Sequence, residues 1–182
     1  MRWVPLAILT YLLLLVQTTV GGVLTFRARG IGLIGPDIPA IAAVFIALHV
    51  RSCLDAMLAG WLIGLAVDLT TGAGTVLGPM PLAYALAAGC ICRVREAFFR
   101  ERIVTQALLA VLFCLIAHCL WVTVQCLFAL RAMTWSAYGR LLFQAAALSV
   151  YTGVLTPLVG RVLKWVQRWI ISAPAAARPG RR

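Results

Sequence analysis

The sequence predicts an all-α polytopic membrane protein, built as a six-helix bundle with short or kinked middle helices. The chain is 63% hydrophobic and its mean hydropathy is +1.00, more apolar surface than a soluble chain of 182 residues can bury. Its apolar residues form six runs separated by basic, glycine-rich or proline-rich segments. Basic residues cluster at the ends of these runs, where anionic head groups lie, so the net charge of +11 does not indicate nucleic-acid binding.

The length of each run predicts how each helix crosses the membrane. About 20 apolar residues cross a bilayer core, and the first, fifth and sixth runs reach that length. The middle three are shorter and are bounded by glycine or proline, so we expect short, kinked or partly re-entrant helices there. The predicted helices are Val4 to Leu24, Ile38 to Val50, Leu54 to Leu69, Pro79 to Val94, Ile103 to Leu130 and Leu141 to Trp165.

The chain is predicted to form one transmembrane domain, residues 1–171, followed by a disordered basic cytoplasmic tail, residues 172–182. With the N-terminus in the cytoplasm, the inner ends of the helices carry 12 of the 16 basic residues and the outer loops carry 4. The positive-inside rule therefore predicts a multi-pass protein with both termini in the cytoplasm. A cleaved signal peptide is the alternative for the first run, but no Ala-x-Ala site follows it.

Two basic stretches are expected to contact anionic lipid. Arg93 and Arg95 begin the basic segment after the fourth helix, while Arg161, Lys164 and Arg168 share one face of the sixth helix. A positive-inside signal combined with an aromatic belt explains the same residues without specific lipid binding.

The third helix carries a stripe of small residues that ends in an acid. Ala56, Gly60, Gly64 and Asp68 recur every four positions and therefore share one face. A carboxylate at bilayer depth costs roughly 2.5–3.5 kcal/mol, so this face should meet protein or water rather than lipid. Small residues allow close helix contact, so the stripe could bind another protein's helix. Alternatively, Asp68 could hold the tight loop that follows it.

The polar residues do not suggest an enzyme or a metal site, and no cofactor is expected. Asp55 and Asp68 lie about 20 Å apart along one helix and cannot act as an acid–base pair. Asp37 is expected near the outer face. His118 lies in the middle of the fifth helix, where a hydrogen bond across helices is simpler than a proton relay. The six cysteines lack C-x-x-C spacing and are expected to pack between helices as small apolar residues.

Several features between about positions 30 and 96 occur in a recognisable order: Pro36-Asp37, an apolar helix ending at Arg51, the segment Gly60 to Asp68, a glycine-rich turn, then Leu82 and Tyr84. In this order they resemble the MreD family of rod shape-determining proteins. The sequence departs from the family pattern at Pro79 and Pro81, which come just after Gly78.

The resemblance implies a six-helix fold similar to the substrate-binding components of vitamin-type transporters. It also implies a non-enzymatic scaffold of the cell-elongation (rod shape) complex in the bacterial inner membrane, supporting peptidoglycan synthesis. The implied partners are an MreC-like single-span protein, RodA with its penicillin-binding transpeptidase, and the MreB filament. The implied partner-binding residues are Pro36, Asp37, Gly60, Gly64, Asp68, Gly78 and Tyr84.

A solute-binding component of a small-molecule transporter is the alternative function. Broken helices in transporters often mark a site near the bilayer midplane. Such a site needs several convergent polar groups, and the candidates are Asp68, His118, Gln125 and Gln144. A cavity joining these four would favour transport over a scaffold.

Overall fold

The structure is a computed structural model that describes residues 3–28, 32–50, 52–70, 77–95, 103–128 and 135–170. Its elements in chain order are α1 (Trp3–Leu24), β1 (Phe26–Ala28), β2 (Gly32–Ile34), α2 (Ile38–His49), α3 (Cys53–Thr70), α4 (Pro79–Val94), α5 (Ile103–Phe128) and α6 (Trp135–Ile170). The predicted tail, residues 172–182, lies outside the described residues.

Within the described residues, three helical segments are long and apolar enough to cross a membrane: Cys53–Thr70, Val104–Phe128 and Trp135–Leu163. The shorter apolar segments are Trp3–Thr19, Ile38–His49 and Pro79–Val94. The prediction that the third helix is too short to span is therefore wrong, whereas α1 has 22 residues, the length that its predicted span requires. Large apolar side chains face outwards on α1, α5 and α6, as a lipid-facing surface requires. The chain is a mostly helical membrane protein.

A hairpin followed by a half-length helix takes the place of a full second span. β1 pairs antiparallel with β2, and the ring of Phe26 packs edge-on against Tyr151 of α6 at 5.6 Å. α2 has only 12 residues, which corresponds to about 18 Å. Asp37, which caps the N-terminus of α2, contacts Thr152 near the middle of α6 and His118 near the middle of α5. Asp37 therefore lies inside the bundle, and its position near the outer face of the membrane stays a prediction.

The core is formed mainly by α2, α3, α4 and α5, and many of its buried residues are alanines. The alanines of α2 and α4 are almost completely buried, which leaves room for larger side chains from α3 and α5. The largest fully buried side chains include Tyr84, Phe113, Ile41, Ile46 and Ile63. A second apolar cluster joins α1 to α2 and α6 through Leu9, Leu13, Ile41, Phe45 and Leu163.

Candidate functional site

Asp37 is the centre of a buried polar cluster. It caps the N-terminus of α2, where its Oδ1 accepts a hydrogen bond from the Ala40 N–H at 3.1 Å. Its Oδ2 accepts a hydrogen bond from the Tyr84 hydroxyl of α4 at 2.6 Å. Its backbone N–H donates to the Thr152 hydroxyl of α6 at 3.1 Å. One residue therefore ties α2 to α4 and α6.

His118 of α5 completes this cluster. Its Nε2 lies 3.5 Å from Asp37 Oδ2, and its Nδ1 lies 2.8 Å from the Cys114 carbonyl oxygen. A carbonyl oxygen only accepts hydrogen bonds, so Nδ1 carries a hydrogen. Asp37 and His118 are far apart in sequence and belong to different helices, so no spacing in the sequence predicts that they pair.

The small-residue stripe of α3 packs against α4 of the same chain. A Cβ atom added at Gly60 would lie 2.8 Å from the Tyr84 carbonyl oxygen. At Gly64 it would lie 2.8 Å from both the Met80 carbonyl oxygen and Pro81 Cα. The prediction that this face meets protein is confirmed. A partner's helix could reach these glycines only if α4 moved away.

Asp68 holds the connection between α3 and α4. It is 1% exposed, and its Oδ2 accepts a hydrogen bond from the Gly78 N–H at 2.5 Å. Gly78 is the N-cap of α4 with a φ of +111°, a conformation that glycine adopts without a Cβ clash. Asp68 therefore supplies the acceptor and the negative charge that the N-terminus of α4 needs, because Gly78 has no side chain. Of the two interpretations of Asp68, the structural one is confirmed.

Arg95 is a second capping residue, at the opposite end of α2. It is 9% exposed, and its Nη1 donates to the Ala47 carbonyl oxygen at 2.8 Å and to the Val50 carbonyl oxygen. The last carbonyls of a helix lack intrahelical donors, and Arg95 supplies one. The prediction that Arg95 contacts lipid is therefore wrong.

Lipid contact by the other basic residues stays a prediction. Arg93 and Arg161 are exposed, so both can reach head groups. The side chains of Lys164 and Arg168 lie outside the described residues.

A disulfide joins Cys53 at the start of α3 to Cys92 near the end of α4, with the two Cα atoms 5.7 Å apart. The prediction that the cysteines act only as small apolar residues is wrong for this pair. The disulfide can form because α3 and α4 are antiparallel, which places the start of α3 next to the end of α4. The other described cysteines are free, and no group of three or more His, Cys, Asp or Glu in the described part of the chain could hold a metal ion.

A cavity of about 280 Å³ lies beside the Asp37–His118 pair. Its wall is built from the base of the hairpin and from all six helices, with Pro39 as the contribution of α2. Of the four polar residues predicted for a solute site, His118 lines this cavity, whereas Asp68, Gln125 and Gln144 do not. The predicted four-residue site is therefore not formed.

The residues that carry the MreD resemblance lie mostly inside the chain. Gly78 is exposed, whereas Pro36, Asp37, Gly60, Gly64, Asp68 and Tyr84 are buried. Burial argues against direct contact between these six and a partner, and partner binding by Gly78 stays a prediction. No protein-family model, curated protein or solved structure matches the chain.

Proposed function

We propose that this chain is a non-enzymatic scaffold of the bacterial cell-elongation complex, located in the inner membrane. The observation that carries the proposal is the convergence of the residues that resemble the MreD family. These residues are spread from Pro36 to Tyr84, yet most of them contact one another or the same short stretch of α4. A chance set of residues spread over that length would have no reason to converge.

Each contact needs the residue type that is present. The Asp37 carboxylate accepts the Tyr84 hydroxyl and joins α2 to α4. Gly60 and Gly64 allow the backbone of α4 to approach α3. Asp68 caps α4 across the α3–α4 connection. The motif is therefore explained as a set of internal contacts that specify one arrangement of α2, α3 and α4, hereafter the central unit.

This arrangement suits a scaffold because the polar groups of the central unit are used to hold the fold. A rigid, preformed surface binds a partner helix with a smaller loss of conformational entropy than a flexible one. The proposed partners are an MreC-like single-span protein, RodA and its penicillin-binding transpeptidase, and the MreB filament. They would contact outward-facing residues that the central unit positions, while anionic lipid would contact the exposed basic residues.

Affinity purification from native membranes, followed by identification of the bound proteins, tests this proposal. The wild-type chain should retain cell-elongation proteins. The Gly64→Leu variant should lose them, because leucine forces α3 and α4 apart, whereas Gly22→Leu should retain them because a Cβ at Gly22 has no neighbour within 4 Å. Recovery of none of these partners by the wild-type chain would overturn the proposal.

The proposal includes six membrane spans and a cytoplasmic location for both termini. In that orientation the Cys53–Cys92 disulfide lies at the cytoplasmic end of α3 and α4, where thiols are normally kept reduced, so the disulfide is the observation that speaks against it. If this end of the bundle is cytoplasmic, both cysteines should react with an alkylating reagent when intact cells are denatured in its presence; denaturation is needed because Cys92 is fully buried. A pair that resists labelling until a reductant is added would place this end of the bundle outside and would contradict the orientation.

A further inference from the structure

The end of α2, the start of α3 and the end of α4 meet at one end of the bundle, hereafter the cysteine end. The Cys53–Cys92 disulfide joins α3 to α4 there, across a sequence separation of 39 residues. Arg95 follows Cys92 by three residues, and its guanidinium donates to the Ala47 and Val50 carbonyl oxygens just before the start of α3. A covalent link and a charged, non-covalent link therefore hold the end of α4 against the end of α2 and the start of α3.

The packing of α3 against α4 is looser towards the cysteine end. A Cβ atom added at Gly60 or Gly64 would lie 2.8 Å from backbone atoms of α4, so the two backbones are in contact there. At Gly89, nearer the cysteine end, the atom that it would meet first is Met57 Sδ, at 3.1 Å. Methionine has a flexible side chain that adapts to a change in spacing. The two helices can therefore separate at the cysteine end without unpacking the glycines.

Two observations indicate opposite redox surroundings for the Cys53–Cys92 pair. The proposed orientation, based on 12 of the 16 basic residues, places the pair on the cytoplasmic side, where thiols are kept reduced. The structure nevertheless joins the pair, with the Cα atoms 5.7 Å apart, a normal separation for a disulfide. Disulfides in that compartment are usually transient. A pair that changes between dithiol and disulfide satisfies both observations.

We propose that the Cys53–Cys92 pair is a redox switch that controls opening of the cysteine end. In the disulfide form, the end of α4 is fixed to the start of α3, and Arg95 stays opposite the carbonyls at the end of α2. In the dithiol form, α3 and α4 separate locally at this end, and the Arg95 cap opens with them. The role in the cell rests on the orientation in the proposed function, but not on the proposed partners.

A low-molecular-weight disulfide such as oxidised glutathione closes the switch by two exchange steps. Cys53 is partly exposed, whereas Cys92 is fully buried, so the Cys53 thiolate attacks the reagent first. This step forms a mixed disulfide and releases one glutathione thiolate. The Cys92 thiolate then attacks the Cys53 sulfur and releases the second glutathione thiolate. The two cysteines lose two protons and two electrons, and the reagent gains them as two thiols; excess reduced glutathione reverses both steps.

Hydrogen exchange of the purified full chain in detergent tests the switch, with the chain kept in an excess of either reduced or oxidised glutathione. The Val50 N–H donates to the Ile46 carbonyl oxygen and the Arg95 N–H donates to the Ile91 carbonyl oxygen, so both amides report opening of the cysteine end. Both should exchange about tenfold faster in the dithiol form. The Gly78 N–H, which is hydrogen-bonded at the other end of α4, should exchange equally in both forms.

A variant that cannot form the bond provides the control. Cys92→Ala should exchange in both reagents as the dithiol form of the wild-type chain does. Equal exchange of the dithiol and disulfide forms would overturn the proposal. A disulfide that excess reduced glutathione leaves intact in the folded chain would also overturn it, because such a bond does not switch.

Alkylation rates in the dithiol form test whether Arg95 belongs to the same local opening. Cys92 and Cys114 are both fully buried, but Cys114 lies in the middle of α5. Cys92 should therefore react about tenfold faster than Cys114. Arg95→Met should accelerate the reaction of Cys92 about fivefold further, and Arg93→Met should leave it unchanged because Arg93 is exposed. Equal rates at the two cysteines, or equal effects of the two arginine variants, would contradict the local opening.

Alkylation of cells denatured in the reagent, before and after treatment with the thiol oxidant diamide, tests the switch in its membrane. Both cysteines should be labelled before treatment, protected after it and labelled again once the oxidant is removed. Labelling that persists in diamide would overturn the switch. Protection before treatment would overturn both the switch in cells and the proposed orientation. Hydrogen exchange of the purified chain depends on neither the orientation nor the partners, so its failure counts against the switch alone.

Discussion

Replacing Gly64 with alanine should destabilise the packing of α3 against α4. The added Cβ would lie 2.8 Å from the Met80 carbonyl oxygen, 2.8 Å from Pro81 Cα and 3.0 Å from Tyr84 Cβ. The first two are backbone atoms, so relief requires a shift of α4 itself. Forcing an extra methyl group into a packed interior costs about 1–3 kcal/mol. Alanine recovers about 0.5–1 kcal/mol because glycine is unfavourable within a helix.

The Gly22→Ala variant isolates the strain from the gain in helix propensity. Gly22 is also helical, and a Cβ there meets nothing within 4 Å, so this variant receives only the favourable term. The difference in free energy of unfolding between the two variants should therefore be about 1–3 kcal/mol. For a chain of this size, that difference lowers the melting temperature of Gly64→Ala relative to Gly22→Ala by about 2–12 °C.

Circular dichroism of both purified proteins in detergent measures this difference during heating. Membrane insertion should be equal for the two variants, because a single methyl group barely changes the hydropathy of either helix. Melting temperatures within about 1 °C of each other would refute the close contact between α3 and α4.

Two further predictions concern the capping residues. Arg95→Met should lower the free energy of unfolding by about 1–3 kcal/mol, because two carbonyls at the end of α2 lose their donor. Chemical unfolding should show no comparable loss for Arg93→Met, because Arg93 is exposed. Equal losses in the two variants would disprove the cap. Asp68→Ala should cost about 1–3 kcal/mol, because the Gly78 N–H loses its acceptor. Asp55→Ala should cost only about 0.3–1 kcal/mol, the interaction of the carboxylate with the helix dipole in the first turn of α3. A larger loss of unfolding free energy in Asp55→Ala than in Asp68→Ala would count against the role of Asp68.

Apolar runs predicted the helix bounds correctly where residues that start or stop a helix flank the run. α4 has the predicted bounds, Pro79–Val94, because proline and Gly78 start it and a basic segment follows it. α6 begins at Trp135 rather than at the predicted Leu141. Hydropathy marks where a helix becomes apolar, whereas backbone hydrogen bonding continues through the less apolar residues that precede that point, such as Tyr138.

The periodicity of α3 predicted which face packs closely but not what covers it. Gly60 and Gly64 indicate a close approach, and a missing side chain carries no information about whether the neighbour belongs to the same chain. The same limit applies to the Asp37–His118 pair. Both are contacts between helices distant in sequence, and the pattern within one helix does not report how helices are arranged.

The basic segment after α4 led to a wrong prediction for Arg95, because the burial of a residue depends on the whole fold. Arg95 looked like its neighbour Arg93, since both belong to a basic segment at a helix end. The structure separates them because Arg95 lies opposite the unpaired carbonyls at the end of α2, whereas Arg93 faces outwards. The positive-inside pattern describes the average position of basic residues and does not identify the one that caps a helix.

The central claim is that the residues resembling the MreD family hold α2, α3 and α4 together from inside. A double-mutant cycle with Asp37→Asn and Tyr84→Phe tests it most directly, because the 2.6 Å hydrogen bond between these side chains joins the two ends of that motif. Unfolding free energies of the two single variants and the double variant should give a coupling energy of about 1–3 kcal/mol. Additive effects within about 0.5 kcal/mol would contradict the claim.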